Sequence, residues 1–382
     1  MKKHILRARN ERMKELMVEK GMDAVVALSL ENVFYSTGAY IMTQRAIKDR
    51  LEIAILPQKG DPVFVVCKIE ERLAKEETWI EDMRTYIEFK ESPILFLVDA
   101  LKEMGLEKAC IGIEQHQLSA HYHMELKNAM PNSEFVECQN IFDKVQMIKE
   151  PGEIEILTKA AIGTRKAVDA AFISAKVGDT EKELANQMNI NLINQGVDEL
   201  SFMVLGTGKR SMYAHPTPGD TPLCPGDILR VDFGGIFSGY FSDLARTAVV
   251  GNPSPVQAEV YKKLATIQKE VIYSLQVGVR FCDVYNKCKD LYKEKELPFN
   301  MPHIGHGLGI GLHEHPIINP LNEEKVQENM VINVEPLVVY GDGAYHIEDL
   351  LLTTKNGPKI LTGSCMSDEI PVSYTHLTLP TN

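Results

Sequence analysis

The 382-residue chain has little that would tie it to a bilayer, to nucleic acid or to an oxidising compartment. No stretch approaches the ~20 consecutive apolar residues that a membrane span needs. The opening MKKHILRARNERMKELM lacks the apolar centre of a secretion signal, so a cytoplasmic location without membrane contact is expected. Positive charge is scarce, with 41 Lys and Arg against 53 Asp and Glu. The resulting net charge of −12 excludes an electrostatic grip on nucleic acid or anionic lipid. Cysteines number seven, at 67, 110, 138, 224, 282, 288 and 365, without CxxC spacing. They are expected to be reduced and mostly buried.

Several common catalytic signatures are missing as well. GHGLGIG follows no strand and has no distant ribose-binding acid, so it is not a dinucleotide loop. GTGKR lacks the GxxxxGK[ST] spacing of a phosphate loop, and no Ser or Cys occupies a nucleophile elbow. What remains is ordinary in bulk: 44% hydrophobic and 25% charged, with length enough for two full cores.

The informative stretch is DILRVDFGGIFSGYFSDLARTAVVG, residues 227–251. Residues 228–233 and 240–250 read as two strands around a turn at Phe237-Ser238-Gly239. Each carries one aspartate among apolar neighbours, Asp232 and Asp243. A turn with an even number of residues puts both side chains on one face, opposite or one diagonal apart, within roughly 5–8 Å. A three-residue turn would send them to opposite faces. Two carboxylates held together in an apolar setting repel unless a proton or cation lies between them.

Residues 330–340 and 344–353 form a second such pair around Gly341-Asp342-Gly343, with Glu335 and Glu348 related about the turn much as the aspartates are about theirs. Between the hairpins, HIGHGLGIGLHEHP (303–316) supplies histidines in a glycine-rich segment. Four carboxylates and a histidine that converge would make an oxygen-rich site for divalent metal ions. Four negative charges balance two divalent cations, with room for a bridging hydroxide.

Here the residues resemble a known family. Asp232, Asp243, His306, Glu335 and Glu348 match, in order and local context, the five metal ligands of the M24 metallopeptidases, the relatives of methionine aminopeptidase, Xaa-Pro aminopeptidase and prolidase. The strings VDFG, GYFSDLART, GHGLG, VEP and IEDLLL carry the resemblance, which covers about residues 146–362. The N-terminal part resembles the extra domain of the prolidase, aminopeptidase P and creatinase branch. The resemblance implies an α+β pita-bread catalytic domain with pseudo-twofold symmetry and two divalent metal ions per chain, Mn, Co, Zn or Fe, with Mn favoured. It implies a homodimer whose N-terminal domains make the subunit contacts and cover a neighbour's active-site mouth. It also assigns roles. Glu335 would bind metal and serve as general base, while His215 and His313 would contact substrate and the scissile carbonyl. The resemblance assigns no role to His303 and His315, which are open between lining the site and a purely structural place. Members of the branch often carry arginine two residues before the last glutamate, where this chain has His346, so His346 becomes a candidate substrate contact with a weaker hold on a free carboxylate.

The rest of the chain fits around this. Residues 6–20 predict an amphipathic helix, and strands are expected at 24–28, 52–56, 62–67, 95–98 and 109–113 with helices between several of them, making an α/β N-terminal domain over residues 1–145. A charged break with Pro-Gly at 144–152 opens the catalytic domain, residues 146–364. Helices are expected at about 152–177, at 180–195 behind the capping box Thr180-x-x-Glu183, from Ser254-Pro255-x-Gln257, and at 281–296. Helix, helix, carboxylate hairpin thus occurs twice. Beyond Thr362 no strand or helix logic joins the chain to a core, and SYTHLTLPTN resembles translated cloning-adapter sequence, so 365–382 are expected to be a non-native or disordered tail. The expected activity is hydrolysis of the bond after the N-terminal residue of Xaa-Pro peptides or dipeptides. The competing readings are a C–N hydrolase for a small non-peptide molecule and a non-enzymatic binding module, the latter opposed by the intact ligand set.

Overall fold

The computed structural model describes residues 3–47, 49–363 and 367–373. The chain separates into two compact units, Met1–Val145 and Gln146–Asn382.

The first unit is a six-stranded mixed sheet with helices. Its strands are β1 (Ala24–Ala27), β2 (Ile53–Pro57), β3 (Val63–Cys67), β4 (Asp82–Tyr86), β5 (Cys110–Ile113) and β6 (Glu134–Glu137), in the order β4-β3-β2-β1-β5-β6. Strands β1, β2 and β3 are buried along their whole length, so they read as continuous apolar runs rather than alternating ones. The strand expected at 95–98 is instead part of a helix, Pro93–Glu103. Ser92 caps it by accepting from the Ile94 amide, and Pro93 sits where a helix tolerates proline. Ile94, Leu97, Val98 and Leu101 form the helix's buried face, while Leu95 is exposed. Strands β4 and β6 were hidden by their polar composition, DMRTY and EFVE.

The second unit repeats one arrangement twice. Helices Pro151–Ser174 and Glu181–Asn194 precede β7 (Glu199–Thr207), β8 (Ile228–Phe237), β9 (Tyr240–Phe241) and β10 (Leu244–Val250). Helices Pro255–Ser274 and Phe281–Glu294 precede β11 (Gly305–Gly307), β12 (Glu314–Ile317), β13 (Val331–Val334), β14 (Leu337–Tyr340), β15 (Gly343–His346), β16 (Asp349–Thr354) and β17 (Gly357–Ile360). Both expected capping boxes are formed, at Thr180–Glu183 and Ser254–Gln257. A third, Glu150–Glu153, starts the long helix at Pro151. Each helix pair shares a core with its hairpin: Ala167, Val168, Ala171 and Phe172 with Val231, Phe233 and Leu244, and Leu264, Ile267, Val271 and Tyr292 with Ile332, Val334 and Leu351. Burying one such side chain stabilises by about 1.5–3 kcal/mol, so each hairpin is fixed by its own helices.

The turns decide the register. Phe237 pairs with Tyr240, leaving a two-residue turn, Ser238-Gly239, with φ of 51° and 84°. That geometry suits the twist of a tight hairpin and places glycine where a left-handed backbone is cheapest. The second turn is also two residues, Gly341-Asp342, because Tyr340 pairs with Gly343. Both hairpins therefore have the even-numbered turn that a shared face requires.

The expectation of an unattached tail fails for residues 367–373. β18 (Val372–Ser373) adds to β10 in parallel, with the amides of Val249 and Gly251 donating to the carbonyls of Pro371 and Ser373. Ile370 is buried against the second helix pair's core. A free sheet edge accepts a short β-rich segment whatever its local sequence signal. The calls on Cys365, Met366 and residues 374–382 lie outside the described residues.

Candidate metal centre

The register places Asp232 opposite Ala245 on β10, so Asp243, two residues back, lies one diagonal from Asp232 on the same face. In the second hairpin, β13–β16 and β14–β15 share one register, which puts Glu335 and Glu348 directly opposite one another where the two ladders meet. The two hairpins are joined at these residues. The Glu348 amide donates to Ala245 O (3.1 Å), and the His346 amide donates to Thr247 Oγ1 (2.8 Å). A buried ion pair locks the joint: Arg246 reaches Asp349 at 2.6 Å, donates to the Ala245 carbonyl at 2.9 Å, and also bonds the Glu348 carbonyl. Gln268 and Thr362 donate to the same Asp349 carboxylate.

His306 arrives from β11, which pairs with β13. Its Nδ1 lies 3.0 Å from Gly307 O, and a carbonyl only accepts, so Nδ1 carries the proton. Nε2 is left free, 3.6 Å from Asp243 and 3.7 Å from Glu335. Burial pushes this histidine down to about 4, which keeps it neutral and available as a donor.

These side chains fall into groups whose donor atoms lie within 4.8 Å of one another: Asp232, Asp243 and Glu348; His306, Glu335 and Glu348; Asp243, His306 and His313. Asp232 Oδ1, Asp243 Oδ1, both Glu348 carboxylate oxygens and His306 Nε2 are buried without a hydrogen-bond partner. A cluster of this sign and burial is costly unless cations occupy it. The electrostatics agree. Burial, then the neighbouring carboxylates, holds Asp243 and Glu348 far above the ordinary carboxylate range. Glu335 goes the other way: burial raises it, but His303, His346 and His306 together outweigh that and hold it well below. The donor set, oxygen-rich with one neutral imidazole, fits divalent metal ions.

The remaining candidates are placed as follows. His303 Nδ1 lies 3.2 Å from Glu335 Oε1, and that contact raises its pKa. His313 stacks on His306 with ring centroids 3.9 Å apart and planes at 20°. Its pKa is lowered, first by burial, with His303, whose ring centroid lies 6.1 Å away, and His215 adding to the shift. His215 is on an exposed loop after β7, whose Tyr213 and Ala214 carbonyls accept from the Arg230 guanidinium. His315 is exposed on β12. His346 is buried with Nε2 3.7 Å from Glu335 and Nδ1 4.0 Å from Asp232, inside the carboxylate cluster. Sequence reasoning overlooked Arg246, Asp349, Lys149 and Glu314 as parts of the site's frame. The available signal was a charge inside an apolar strand, as in DLARTAVV and IEDLLL.

Comparison with known proteins places this geometry. Residues 155–355 match metallopeptidase family M24, and residues 9–148 match the creatinase/prolidase N-terminal domain. A putative dipeptidase of Bacillus subtilis is 30% identical over 358 residues, covering 93% of this chain and 97% of that protein. An Xaa-Pro dipeptidase of Pyrococcus horikoshii is 30% identical over 361 residues, 92% and 97% of the two chains. Among solved structures, a dipeptidase from Mycobacterium ulcerans superposes with a TM-score of 0.86 at 25% identity, covering 98% of this chain and 99% of that one.

Proposed function

This chain belongs to metallopeptidase family M24, and from that premise we propose that it hydrolyses the bond after the N-terminal residue of Xaa-Pro dipeptides or short Xaa-Pro peptides at a two-metal centre. The observation that carries the two-metal reading is the sharing of Glu348 by two donor groups, one with Asp232 and Asp243 and one with His306 and Glu335. Asp232, Asp243, His306, Glu335 and Glu348 would hold the ions. When bound, paired divalent ions supply Lewis acidity that acidifies a water and polarises an amide carbonyl. The carboxylate-rich set makes manganese the first metal to assay.

The protein's own residues do the rest. Glu335 accepts the water's proton: it is ionised, and its contacts with His303 and His346 fix its carboxylate. His313, stacked on His306, would contact the scissile carbonyl. His215, near His313 on its own loop, contacts the substrate backbone. His346 orients Glu335 and Asp232.

One observation favours a second reading. His346 is a histidine buried between two carboxylates, so it presents no permanent cation to a dipeptide's free carboxylate. A small non-peptide amide is then the alternative substrate. A panel decides between them: Xaa-Pro dipeptides, Xaa-Pro tripeptides, non-proline dipeptides and small non-peptide amides, each with Mn²⁺, Co²⁺ or Zn²⁺. Xaa-Pro cleavage that vanishes on chelation supports the proposal. Turnover confined to non-peptide amides supports the alternative, and full peptide turnover by metal-free protein refutes both.

A further inference from the structure

The segment between His306 and His313 is Gly-Leu-Gly-Ile-Gly-Leu, in which Leu308 and Ile310 are buried and the three glycines between them bring no side chain of their own. Its backbone is also shaped by a carboxylate from the residue just beyond His313. Glu314 turns back into the loop, where Oε1 accepts from the Gly311 amide at 2.8 Å. Its Oε2 meets Lys149 Nζ at 2.8 Å, and the same ammonium donates to Gln146 O at 2.6 Å. The pair is buried, with side-chain exposures of 1% for Lys149 and 7% for Glu314. The loop is moulded around it so closely that a Cβ on Gly309 would come within 2.5–2.8 Å of the Glu314 carboxylate. On the other side, the Gly309 carbonyl accepts from the Phe241 amide (2.7 Å), next to the turn of the aspartate hairpin.

We propose that the buried Lys149–Glu314 pair is a positioning device that sets the shape of the 308–313 loop and so holds His313 stacked against His306. The role assigned to His313 rests on the reading above. The placement of its ring does not. An ion pair taken out of water is weak as a source of net stability, but it is directional, and removal of either partner leaves a buried charge that the loop must rearrange to solvate. A glycine loop yields to such a rearrangement more readily than the β-strands at its ends. His313 is covalently adjacent to Glu314, so the displacement is delivered first to its ring.

The test uses the full chain with Glu314→Ala, Glu314→Gln and Lys149→Met, each with and without His313→Ala. Glutamine keeps an oxygen for the Gly311 amide but leaves Lys149 without its counter-charge, so Glu314→Gln should fall between the wild type and Glu314→Ala. In metal-free, histidine-labelled protein, His313→Ala assigns the ring signals by NMR. The ring-current shifts of the stacked imidazoles are expected to collapse in Glu314→Ala and to be only partly reduced in Glu314→Gln. A misplacement of about 1 Å costs on the order of 10²-fold in turnover. Glu314→Ala should therefore lower kcat by roughly that factor in the wild-type background and by less than about 3-fold once His313 is already alanine. Lys149→Met keeps the Gly311 bond but strands the Glu314 carboxylate, so it too should fall between the wild type and Glu314→Ala. Metal content by elemental analysis should be unchanged throughout. Equal fold-losses in both backgrounds, or ring-current shifts preserved in Glu314→Ala, would overturn the proposal. If the stacking shifts collapse as expected while His313→Ala alone leaves kcat unaltered, the positioning stands and the catalytic role of His313 falls.

Discussion

The cluster predicts a dependence of metal stabilisation on pH, and the structure sets its size. Without metal, Asp243 and Glu348 are held far above the ordinary carboxylate range by burial and by their neighbours. Each is then protonated in the folded chain and ionised in the unfolded one between their two pKa values. Stability from such a group is greatest at low pH and is lost as pH rises above about 4, because the unfolded state releases the proton first. Each proton so held tilts stability by at most about 1.4 kcal/mol per pH unit, over the range between the group's unfolded and folded pKa. His303, raised by Glu335, has the same sign, since its contribution is present below its unfolded pKa and is lost as pH rises through the folded one. Glu335 is held low and stays ionised in both states over this window. Metal removes the slope by replacing the protons, while Glu52 and Glu114 of the first unit, also raised by burial, contribute equally with and without metal. The measurable quantity is therefore the gap between Tm of Mn²⁺-saturated and chelated protein. At about 2–4 °C per kcal/mol, that gap should widen as pH rises above about 4, by up to roughly 3–6 °C per pH unit for each proton so held. Differential scanning fluorimetry in buffers of matched ionic strength reads it directly. A gap that is constant or narrows with rising pH would refute the assignment of these carboxylates as protonated in the metal-free fold.

Three other outcomes follow. Asp232→Asn should mainly weaken metal binding, so excess metal restores part of its activity, whereas Glu335→Gln should stay about 10²–10⁴-fold down at saturating metal because the proton acceptor is gone as well; equal rescue of both would make Glu335 a ligand only. Arg246→Met strands Asp349 in the buried joint between the hairpins and should cost about 3–5 kcal/mol, measured by urea unfolding, while Arg246→Met with Asp349→Leu should recover much of it. A chain ending at residue 363 loses β18 and the buried Ile370, about 2–4 kcal/mol from one apolar side chain and two amide bonds. An unchanged Tm in that truncation would show that the added strand contributes nothing.

The sequence by itself determined the chemistry of the site. Asp232, Asp243, His306, Glu335 and Glu348 were legible because each is a polar residue in an apolar strand or glycine-rich segment, where nothing but function keeps it. The helix starts at Thr180 and Ser254 were legible for the same local reason, since a capping box is complete within four residues. Whether the two aspartates share a face depended on turn length, and only the paired backbone decided it: Ser238-Gly239 is a two-residue turn because both residues take left-handed angles. The apolar run at 94–98 fits helix and strand alike, and the choice fell to the Ser92 cap just before it. The strand at 372–373 has no signal of its own and exists because β10 offers it an edge. Arg246 with Asp349, and Lys149 with Glu314, stand 103 and 165 residues apart in the chain. No pattern of local spacing joins partners at that separation; they meet only when two hairpins and a glycine loop are folded against one another, and only then does a lone buried charge acquire its counter-charge.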